Sequence, residues 1–479
     1  MTENRYELVV GLETHVELKT RTKAFCGCEN RYGAPPNTLV CPVCMGLPGT
    51  LPVLNRRAME LAALAGFALN CRVNPISSFD RKNFFYPDLP KAYQITQFFY
   101  PLCEAGFVEI LADGGTKRIG ITRIHVEEDA GKLLHDRPGV TAIDLNRCGV
   151  PLIEIVTEPD FRTAEEASAY LKKLRAILTA AGVSDCRMNE GSLRCDVNLS
   201  LRRPGQPMGT RTEMKNLNSF KAIAHAIEGE RERQIELLEM GKSVTQETRR
   251  WDDNKESSHA MRSKEDAKDY RYFPDPDLPP IHISDEWIAK IRTELPEFRE
   301  EKAARYQSEF GLPEYDSQIL TESRHLAALF EDVATLSGNP KKAANWFMVE
   351  VLRLMKEKGI EAEKLRFTPQ HLADLLTMVD KKEVSPQNAK KVFEKVFDED
   401  VDPIAYVEEH GLKIVEDTGL LSSTISRILD ENPGPLSELL GGKEKVMGFF
   451  VGQIMKEMKG KANPASVREA LLAEVEKRK

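Results

Sequence analysis

The feature that most restricts the fold is a change in the spacing of apolar residues near position 294. Before it, apolar and polar side chains alternate in several segments with the two-residue period of a β-strand. Helical patterns at 55–69, 163–182 and 218–241 separate these segments. After it, the chain consists almost entirely of short helical patterns joined by polar turns. This order predicts an α+β region followed by all-helical regions.

The length of the chain requires more than one hydrophobic core. With 479 residues, roughly two to four domains are expected. We predict a first domain at 1–293, an all-helical domain at 294–405 and a small helical tail at 406–479.

Bulk composition argues against two classes of protein. The formal net charge of -8 disfavours a protein that coats nucleic acid through a broad basic surface, although it is compatible with a local basic groove. No apolar run approaches the roughly 20 residues that a membrane span needs. The N-terminus lacks the pattern of a secretory signal, so a cytoplasmic location is expected.

The segment VGLETHVEL near the N-terminus is predicted to be a strand with two different faces. Its apolar face carries Val10, Leu12, Val16 and Leu18. Its polar face carries Glu13, His15 and Glu17. Two carboxylates and an imidazole on one face suit either an ordinary wetted surface or half of a metal site. This strand by itself does not choose between them.

A carboxylate stands in the middle of a very apolar strand, VPLIEIVTE. Glu154 is flanked by Ile153 and Ile155, and burial of its charge is costly unless a positive group meets it. Two kinds of partner satisfy this requirement. One is a metal ion or a substrate, and the other is an arginine such as Arg123 or Arg147 in a buried salt bridge.

Acidic residues also follow the strand pattern of RIHVEEDAGK. Glu127, Glu128 and Asp129 come directly after the alternating residues, at a strand end next to a glycine. Functional side chains often project from such positions, but three consecutive acids are also commonly just solvated.

Two later segments carry charged residues on one strand face. SLRCDVNLSLRR places Arg194, Asp196 and Asn198 on the same side, which suits a phosphate or magnesium surface and equally an exposed sheet face. RTEMKNLNSF places Glu213 and Lys215 on one side of a short strand, just before a helix N-terminus. A helix N-terminus is a favourable location for anions.

Together these segments supply hard oxygen ligands and one imidazole. The set comprises Glu13, His15, Glu128, Glu154 and Glu213. Such donors match magnesium or manganese better than zinc. A metal together with cations over a polar sheet suits phosphoryl transfer, in which charge on the phosphoryl oxygens must be neutralised. The sequence contains no P-loop, protein-kinase or hydrolase nucleophile motif.

Four of the nine cysteines lie close together in the first fifty residues. Cys26 and Cys28 precede Cys41 and Cys44, with twelve residues between the two pairs. In a reducing compartment, two such pairs can wrap four thiolates tetrahedrally around one zinc ion, and four unrelated buried cysteines are the alternative. A zinc ion with four thiolate ligands has no open position for substrate. We therefore predict a structural site in an insertion near 26–44.

Long stretches of the sequence resemble one protein family. The resemblance is to the B subunit of the tRNA-dependent amidotransferases, which act on Glu-tRNA(Gln) and Asp-tRNA(Asn). It covers about residues 5–475 and is carried by VGLETHVELKT, FDRKNFFYPDLPKAYQITQ, RIGITRIHVEEDAGK, PLIEIVTEPD, EGSLRCDVNLSLR, MKNLNSF, QETRRWD and DYRYFPDPDLPP. MGFFVGQIMKEMKGKANP resembles the tail domain of the same family.

The resemblance implies a fold and a reaction. The fold is a cradle-shaped catalytic domain on an antiparallel β-sheet, followed by a helical domain and a helical tail. The reaction uses ATP and magnesium to phosphorylate the side-chain carboxylate of the misacylated amino acid. Ammonia channelled from an amidase A subunit then displaces phosphate to give Gln-tRNA(Gln) or Asn-tRNA(Asn). A small C subunit completes the heterotrimer, and the cognate aminoacyl-tRNA synthetase is a further candidate partner.

The resemblance also implies roles for individual residues. It implies magnesium ligands at Glu13, His15, Glu128, Glu154 and Glu213, with Glu127 as the reserve for its neighbour. Phosphate and substrate contacts are expected at Lys82, Arg194, Asp196, Asn198 and Lys215. Structural zinc is expected at Cys26, Cys28, Cys41 and Cys44. Contact with tRNA is expected at Lys456, Lys459 and Lys461, where a solvated helix end is the alternative.

Two other functions compete with this one. The first is a non-catalytic scaffold that docks tRNA in the same complex, with carboxylates that only stabilise the structure. The second is a self-sufficient metal-dependent ligase, which the lack of any ammonia-producing motif disfavours.

Overall fold

The computed structural model describes residues 5–112, 114–253, 255–263, 269–414, 418–440, 443, 446–458 and 464–478. The chain divides into two compact units, one ending at Pro296 and the other starting at Glu297. Among the helices in these stretches, none is both long enough and apolar enough to cross a membrane.

Strands dominate the described part of the first unit. They are β1 (Glu7–Glu17), β2 (Arg72–Val73), β3 (Ile76–Ser77), β4 (Asp80–Asn83), β5 (Tyr93–Thr96), β6 (Cys103–Ala112), β7 (Gly115–Glu128), β8 (Lys132–Arg137), β9 (Val140–Asp144), β10 (Pro151–Thr157), β11 (Leu193–Arg202), β12 (Thr212–Lys215), β13 (Glu247–Asp252), β14 (Ser257–Ser263), β15 (Phe273–Pro274) and β16 (Ile281–His282). The helices of this unit are α1 (Arg56–Ala68), α2 (Ala164–Ala180), α3 (Phe220–Glu239) and α4 (Asp285–Arg292).

In the described part of the chain, nine strands form one large sheet in the order β14-β13-β12-β11-β1-β10-β7-β6-β2. Neighbouring strands are antiparallel except β12 and β13, which are parallel. The expected antiparallel sheet is therefore confirmed. The first strand of the chain, β1, lies at the centre of this sheet. Its residues are therefore paired with residues of β11 on one side and of β10 on the other.

The large sheet has an apolar face and a polar face. In β1, Leu12 and Val16 are buried, while α1, α2 and α3 pack against β7, β6 and β11. Glu13 and His15 point to the opposite face, because successive side chains of a strand alternate. Burial of each large apolar side chain contributes about 1.5–3 kcal/mol. The apolar face therefore fixes the strand registers and with them the positions of the polar side chains.

The helices α1, α2 and α3 begin at capping residues close to the predicted starts. Asn55 precedes α1, and its side chain accepts hydrogen bonds from the N–H groups of Arg57 and Ala58. Ser219 precedes α3 and accepts from the N–H of Ala222. These bonds satisfy donors that have no partner inside the helix, and each cap contributes about 1 kcal/mol.

The described part of the second unit is built from helices. They are α5 (Arg299–Ser308), α6 (Glu314–Leu320), α7 (Arg324–Ser337), α8 (Pro340–Trp346), α9 (Leu352–Lys358), α10 (Pro369–Asp380), α11 (Pro386–Glu399), α12 (Pro403–Glu409), α13 (Thr418–Glu431), α14 (Pro433–Leu440), α15 (Met447–Glu457) and α16 (Pro464–Lys477). A π-helical turn at Phe347–Val351 joins α8 to α9, and a 3-10 turn at Ala362–Lys364 follows α9.

Two separate hydrophobic clusters stabilise these helices. One includes Phe330, Phe347 and Phe393, and the other includes Leu429 and Phe450. The predicted class, an α+β region followed by helices, is confirmed. The bounds of the three domains given above remain predictions.

Candidate metal and phosphate site

The registers of the central strands bring polar residues together on one face of the large sheet. Between β1 and β11, Glu13 lies opposite Asp196. Between β1 and β10, His15 lies opposite Glu154, which in turn lies opposite His125 of β7. Directly opposed residues of antiparallel strands point the same way and lie within reach of each other. Residues that are distant in sequence therefore meet in one patch.

The first group in this patch, here called the imidazole cluster, consists of His15, Glu127 and Glu154. One ligand atom of each lies within 4.8 Å of the others. His15 Nε2 lies 3.4 Å from a Glu154 oxygen and 3.8 Å from a Glu127 oxygen. His125 Nε2 adds contacts of 3.5 Å to Glu154 and 3.8 Å to Glu127. Two imidazoles, rather than an arginine, thus meet the charge of Glu154.

Glu128, expected as a metal ligand, lies outside this cluster. Its carboxylate pairs with Lys91 and accepts a hydrogen bond of 2.9 Å from the N–H of Ile95. Glu127 joins the cluster because it shares a face of β7 with His125, whereas its neighbour points to the other face. The structure therefore brings the reserve residue, not the first choice, to the cluster. The two-residue period of this strand also contained the signal for His125, which the sequence reasoning missed.

The imidazoles and carboxylates stabilise the charged forms of one another. Burial lowers the pKa of His15, but the hydrogen bond and charge of Glu154 outweigh it and raise that pKa to about 9. Burial also lowers the pKa of His125, and the charge of Glu154 again raises it above its ordinary value. Burial raises the pKa of Glu154, yet both histidines hold it well below its usual range. A bound divalent cation would replace the imidazolium protons as the compensating charge.

The second group, here called the carboxylate cluster, consists of Glu13, Asp196 and Glu213, with one oxygen of each within 4.8 Å of the others. Asn198 Nδ2 donates to Glu13 at 2.8 Å. Lys215 Nζ lies 2.8 Å from Glu213 and also pairs with Asp196. Burial and the charges of neighbouring carboxylates raise the pKa of Glu13. Asp196, expected to contact phosphate, is thus placed among the candidate metal ligands.

Two further expected phosphate contacts, Lys82 and Arg194, have different surroundings. Lys82 lies near the imidazole cluster: burial lowers its pKa, but the charge of Glu127 raises it above the ordinary value. Arg194 donates instead to Asp129. Asp129 also lies next to Glu17, and burial together with the charge of Asp129 raises the pKa of Glu17 to about 8. Glu17 therefore belongs to a third polar group on this face, with Arg194 as its cation.

A cavity of about 290 Å³ opens beside the carboxylate cluster. Glu13 and Asn198 line it, together with Gly11, Met208 and Arg211. The wall of the cavity thus combines a carboxylate, an amide and a guanidinium with apolar groups. This combination suits a polar ligand that carries negative charge.

Both clusters have the donor atoms that a hard divalent cation requires. The imidazole cluster offers carboxylate oxygens and one ring nitrogen, and the carboxylate cluster offers oxygens alone. These sets suit magnesium or manganese. Lys82 near the first cluster and Lys215 in the second add positive charge for a phosphorylated ligand.

The four cysteines expected to bind zinc meet in the structure. The Sγ atoms of Cys26, Cys28, Cys41 and Cys44 all lie within 4.8 Å of one another. Zn–S bonds of about 2.3 Å in a tetrahedron place sulfur atoms about 3.8 Å apart, so this cluster is close to the required size. The Cys41 N–H donates to Cys44 Sγ at 3.2 Å, and a hydrogen bond from Cys26 lowers the pKa of Cys44 to about 4. The donor set therefore fits a structural zinc ion.

Of the three lysines expected to contact tRNA, the structure describes one. Lys456 lies exposed in the last turn of α15. Phe450 and Ile454 form the buried side of this helix. Lys459 and Lys461 lie outside the described residues.

Comparison with known proteins places the chain in a family. Residues 8–289 match the GatB/GatE catalytic domain, and residues 328–475 match the GatB domain. The chain is 58% identical over 469 residues to the B subunit of the aspartyl/glutamyl-tRNA(Asn/Gln) amidotransferase of Agathobacter rectalis, an alignment that covers 98% of this chain and 99% of that protein. The proteins of the same name from Caldicellulosiruptor bescii and Clostridium botulinum are 53% identical over 477 residues and 50% identical over 475 residues. These alignments cover 98% and 99% of this chain, and 99% and 100% of the relatives. The chain therefore belongs to the family of aspartyl/glutamyl-tRNA(Asn/Gln) amidotransferase B subunits.

Proposed function

We propose that this chain phosphorylates the side-chain carboxylate of Glu-tRNA(Gln), Asp-tRNA(Asn) or both with ATP, and then amidates it with ammonia. The observation that carries this proposal is the pair of clusters on one sheet face, the imidazole cluster and the carboxylate cluster. The names of the relatives support the substrates, since each is one component of an aspartyl/glutamyl-tRNA amidotransferase.

The chemistry explains why such a site is needed. A free carboxylate does not exchange an oxygen for ammonia, because the oxygen is a poor leaving group. Phosphorylation converts that oxygen into part of a good leaving group. Magnesium, when bound, supplies charge neutralisation and orientation of the ATP phosphates. The imidazole cluster would hold one such ion and the carboxylate cluster another.

The residues around the clusters have separate tasks in this proposal. Lys82 and Lys215 contact the phosphate oxygens from either side of the patch. Asn198 orients the carboxylate of Glu13 through its hydrogen bond of 2.8 Å. The cavity beside Glu13 accepts the aminoacyl end of the tRNA, with Arg211 at its wall.

In this proposal, the protein works as one subunit of a complex. The relatives are named as the B subunits of their enzymes, which implies partner subunits. An amidase A subunit would release ammonia and channel it to this chain, and a small C subunit would complete a heterotrimer. The helical tail, with Lys456 exposed on α15, would hold the tRNA, and the cognate synthetase would deliver it. With these substrates, the enzyme would act in the cytoplasm.

Zinc has a structural role in this proposal. The four thiolates of Cys26, Cys28, Cys41 and Cys44 would occupy all positions of the ion, which leaves none for substrate. Zinc would thus stabilise the segment between β1 and α1.

Glu154→Gln tests catalysis against the tRNA-docking scaffold. The amide keeps the size of the side chain but removes its charge. We expect tRNA affinity to be unchanged and the rate of ATP-dependent amidation by the complex to fall about 100-fold or more. Glu158→Gln, an exposed position just beyond β10, is the matched control and should be fully active. Full activity of Glu154→Gln would favour the scaffold instead.

A further inference from the structure

Lys23, three residues before Cys26, is a fully buried lysine. It is 0% exposed, although lysine is almost never fully buried unless it is paired. The backbone around it is held on both sides. The Lys23 N–H donates to the carbonyl of Cys28 at 3.0 Å, and the Ala24 N–H donates to that of Gly149 at 2.8 Å. Asn55 Nδ2 donates to the carbonyl of Lys23 at 3.2 Å.

The ammonium group of Lys23 faces sulfur. Its Nζ lies 3.5 Å from Cys44 Sγ. Within the described stretches of the chain, no carboxylate oxygen lies within 4.0 Å of that nitrogen. Lys91 differs, since it is paired with the carboxylate of Glu128. A buried ammonium without a carboxylate partner needs another source of negative charge.

We infer that Lys23 is the counter-cation of the zinc-bound thiolate cluster, and that it donates an N–H···S hydrogen bond to Cys44. This inference rests on the zinc site of the proposed function. Four thiolates carry more negative charge than one zinc ion neutralises, so the centre is anionic. In a buried environment, an adjacent ammonium stabilises such a centre strongly, and the centre in turn compensates the charge of the lysine.

Gly149 shows how closely the lysine and the cysteine are packed. A Cβ built at this glycine would lie 3.5 Å from Cys44 Cβ, 3.7 Å from Lys23 Cδ and 3.8 Å from a Glu128 carboxylate oxygen. Gly149 has a φ of +79°, in the turn that leads into β10. Lys23 and Cys44 thus both pack against the turn that leads into β10, the strand that carries Glu154. The counter-cation therefore also couples the thiolate cluster to the catalytic sheet.

The competing explanation is that Lys23 is buried because its methylene stem packs well and the nearby Glu128 carboxylate, already paired with Lys91, compensates its charge. Lys23→Met separates the two explanations, because it keeps an unbranched stem but removes the charge and the donors. Lys23→Arg keeps the charge. Lys19→Met is the matched control, since Lys19 is an exposed lysine of the same segment that pairs with Asp185 at 2.9 Å.

Competition with a chromophoric chelator measures the effect on the full-length chain loaded with Zn²⁺. We expect Lys23→Met to raise the zinc dissociation constant about tenfold, because one charge-assisted hydrogen bond to a thiolate is lost. Lys23→Arg should retain most of the affinity, and Lys19→Met should match the wild type. Equal affinity of the wild type and Lys23→Met would overturn the inference. A wild-type chain that binds no zinc would instead contradict the zinc site of the proposed function.

Cobalt substitution gives a spectroscopic readout of the same interaction. With Co²⁺ in place of zinc, the thiolate-to-cobalt charge-transfer band should move to lower energy in Lys23→Met, because the ammonium no longer stabilises the sulfur electrons. The Lys19→Met control should leave the band in place. An unchanged band in Lys23→Met contradicts the inference.

A measurement on the unmodified chain covers the case in which Lys23→Met does not fold. With spin-active cadmium in place of zinc and isotope-labelled lysine, one ammonium group should be protected from exchange. Its protons should couple to cadmium through the sulfur atom, and removal of the metal by a chelator should abolish both signals. A cadmium-loaded chain in which no lysine proton couples to the metal overturns the inference.

Discussion

At the scale of single residues, adjacent carboxylates of β7 differ in what they contact. Glu127 accepts a hydrogen bond of 3.1 Å from Thr96 and lies 3.8 Å from His15. Glu128 points to the other face and pairs with Lys91. The alternation of side chains along a strand therefore separates a candidate ligand from a structural ion pair in neighbouring positions.

Glu127→Gln should affect activity, whereas Glu128→Gln should affect stability. We expect Glu127→Gln to lower the rate of ATP-dependent amidation about 100-fold, because an anionic member of the imidazole cluster is lost. Glu128→Gln should lower the free energy of unfolding by about 3 kcal/mol, because Lys91, whose side chain is only 12% exposed, is left without its partner. Steady-state kinetics and denaturant unfolding measure the two effects. A folded Glu128→Gln enzyme without activity, beside a fully active Glu127→Gln enzyme, would refute this assignment.

At the scale of elements, an ion-pair group joins the start of β1 to β11 and to the turn before α2. Glu7 accepts a hydrogen bond of 2.8 Å from Arg202 and one of 2.6 Å from Arg162. The bond from Arg202, together with the Arg162 guanidinium, lowers the pKa of Glu7 to about 2, although burial acts in the opposite direction. The charged carboxylate of Glu7 thus links one end of β1 to Arg202 of β11 and to Arg162 before α2.

The pKa of Glu7 predicts how the stability of this group depends on pH. Because the folded-state pKa lies below the ordinary 4.5, the contribution is fully present above pH 4.5 and is lost as the pH falls towards 2. The difference in unfolding free energy between wild type and Glu7→Gln should therefore be constant near neutral pH and shrink in this window. Denaturant titrations across the acid range check it, with exposed Glu29→Gln as control. A difference that does not change with pH would contradict the expectation.

The capping residue of α3 acts at the same scale. Ser219→Ala removes the acceptor for the N–H of Ala222, and we expect the free energy of unfolding to fall by about 1 kcal/mol. Ser243→Ala, at an exposed position after the same helix, should have no measurable effect. Thermal and denaturant unfolding compare the two variants. Equal stability of both would show that solvent satisfies the helix terminus equally well.

At the scale of the whole molecule, the helical unit has hydrophobic clusters made from its own residues. One cluster contains Phe330, Phe347 and Phe393, and the second contains Leu429 and Phe450. Among the described residues, every member of both clusters belongs to this unit. A segment with its own core is able to fold independently.

A fragment of residues 297–479 should therefore fold alone. We expect a helical circular dichroism spectrum and a cooperative thermal transition, because the apolar contacts within the unit are preserved. Phe393→Ala, which removes a fully buried ring, should lower the free energy of unfolding by about 3–5 kcal/mol. A fragment that shows no cooperative transition would contradict the independence of the unit.

The sequence by itself determined those features that depend on spacing along the chain. Periodicity predicted the strands around Glu13 and Glu154 and the change to helices, because alternation and helical repeats are local properties. The paired spacing of Cys26, Cys28, Cys41 and Cys44 predicted that their thiolates could meet, and long matching segments identified the family.

Only the tertiary structure decided which strands are neighbours and in what register. That arrangement places Asp196 with Glu13, brings His125 to Glu154, and turns Glu128 away to Lys91. Such contacts depend on the burial of a whole sheet face, which local patterns do not encode. The same holds for Lys23, which in the sequence is one lysine among many. In the fold its Nζ lies 3.5 Å from Cys44 Sγ, and no carboxylate oxygen of the described residues lies within 4.0 Å of it. Spacing along the chain determines which strands, helices and cysteine pairs can form. The packing of distant segments determines which polar groups meet.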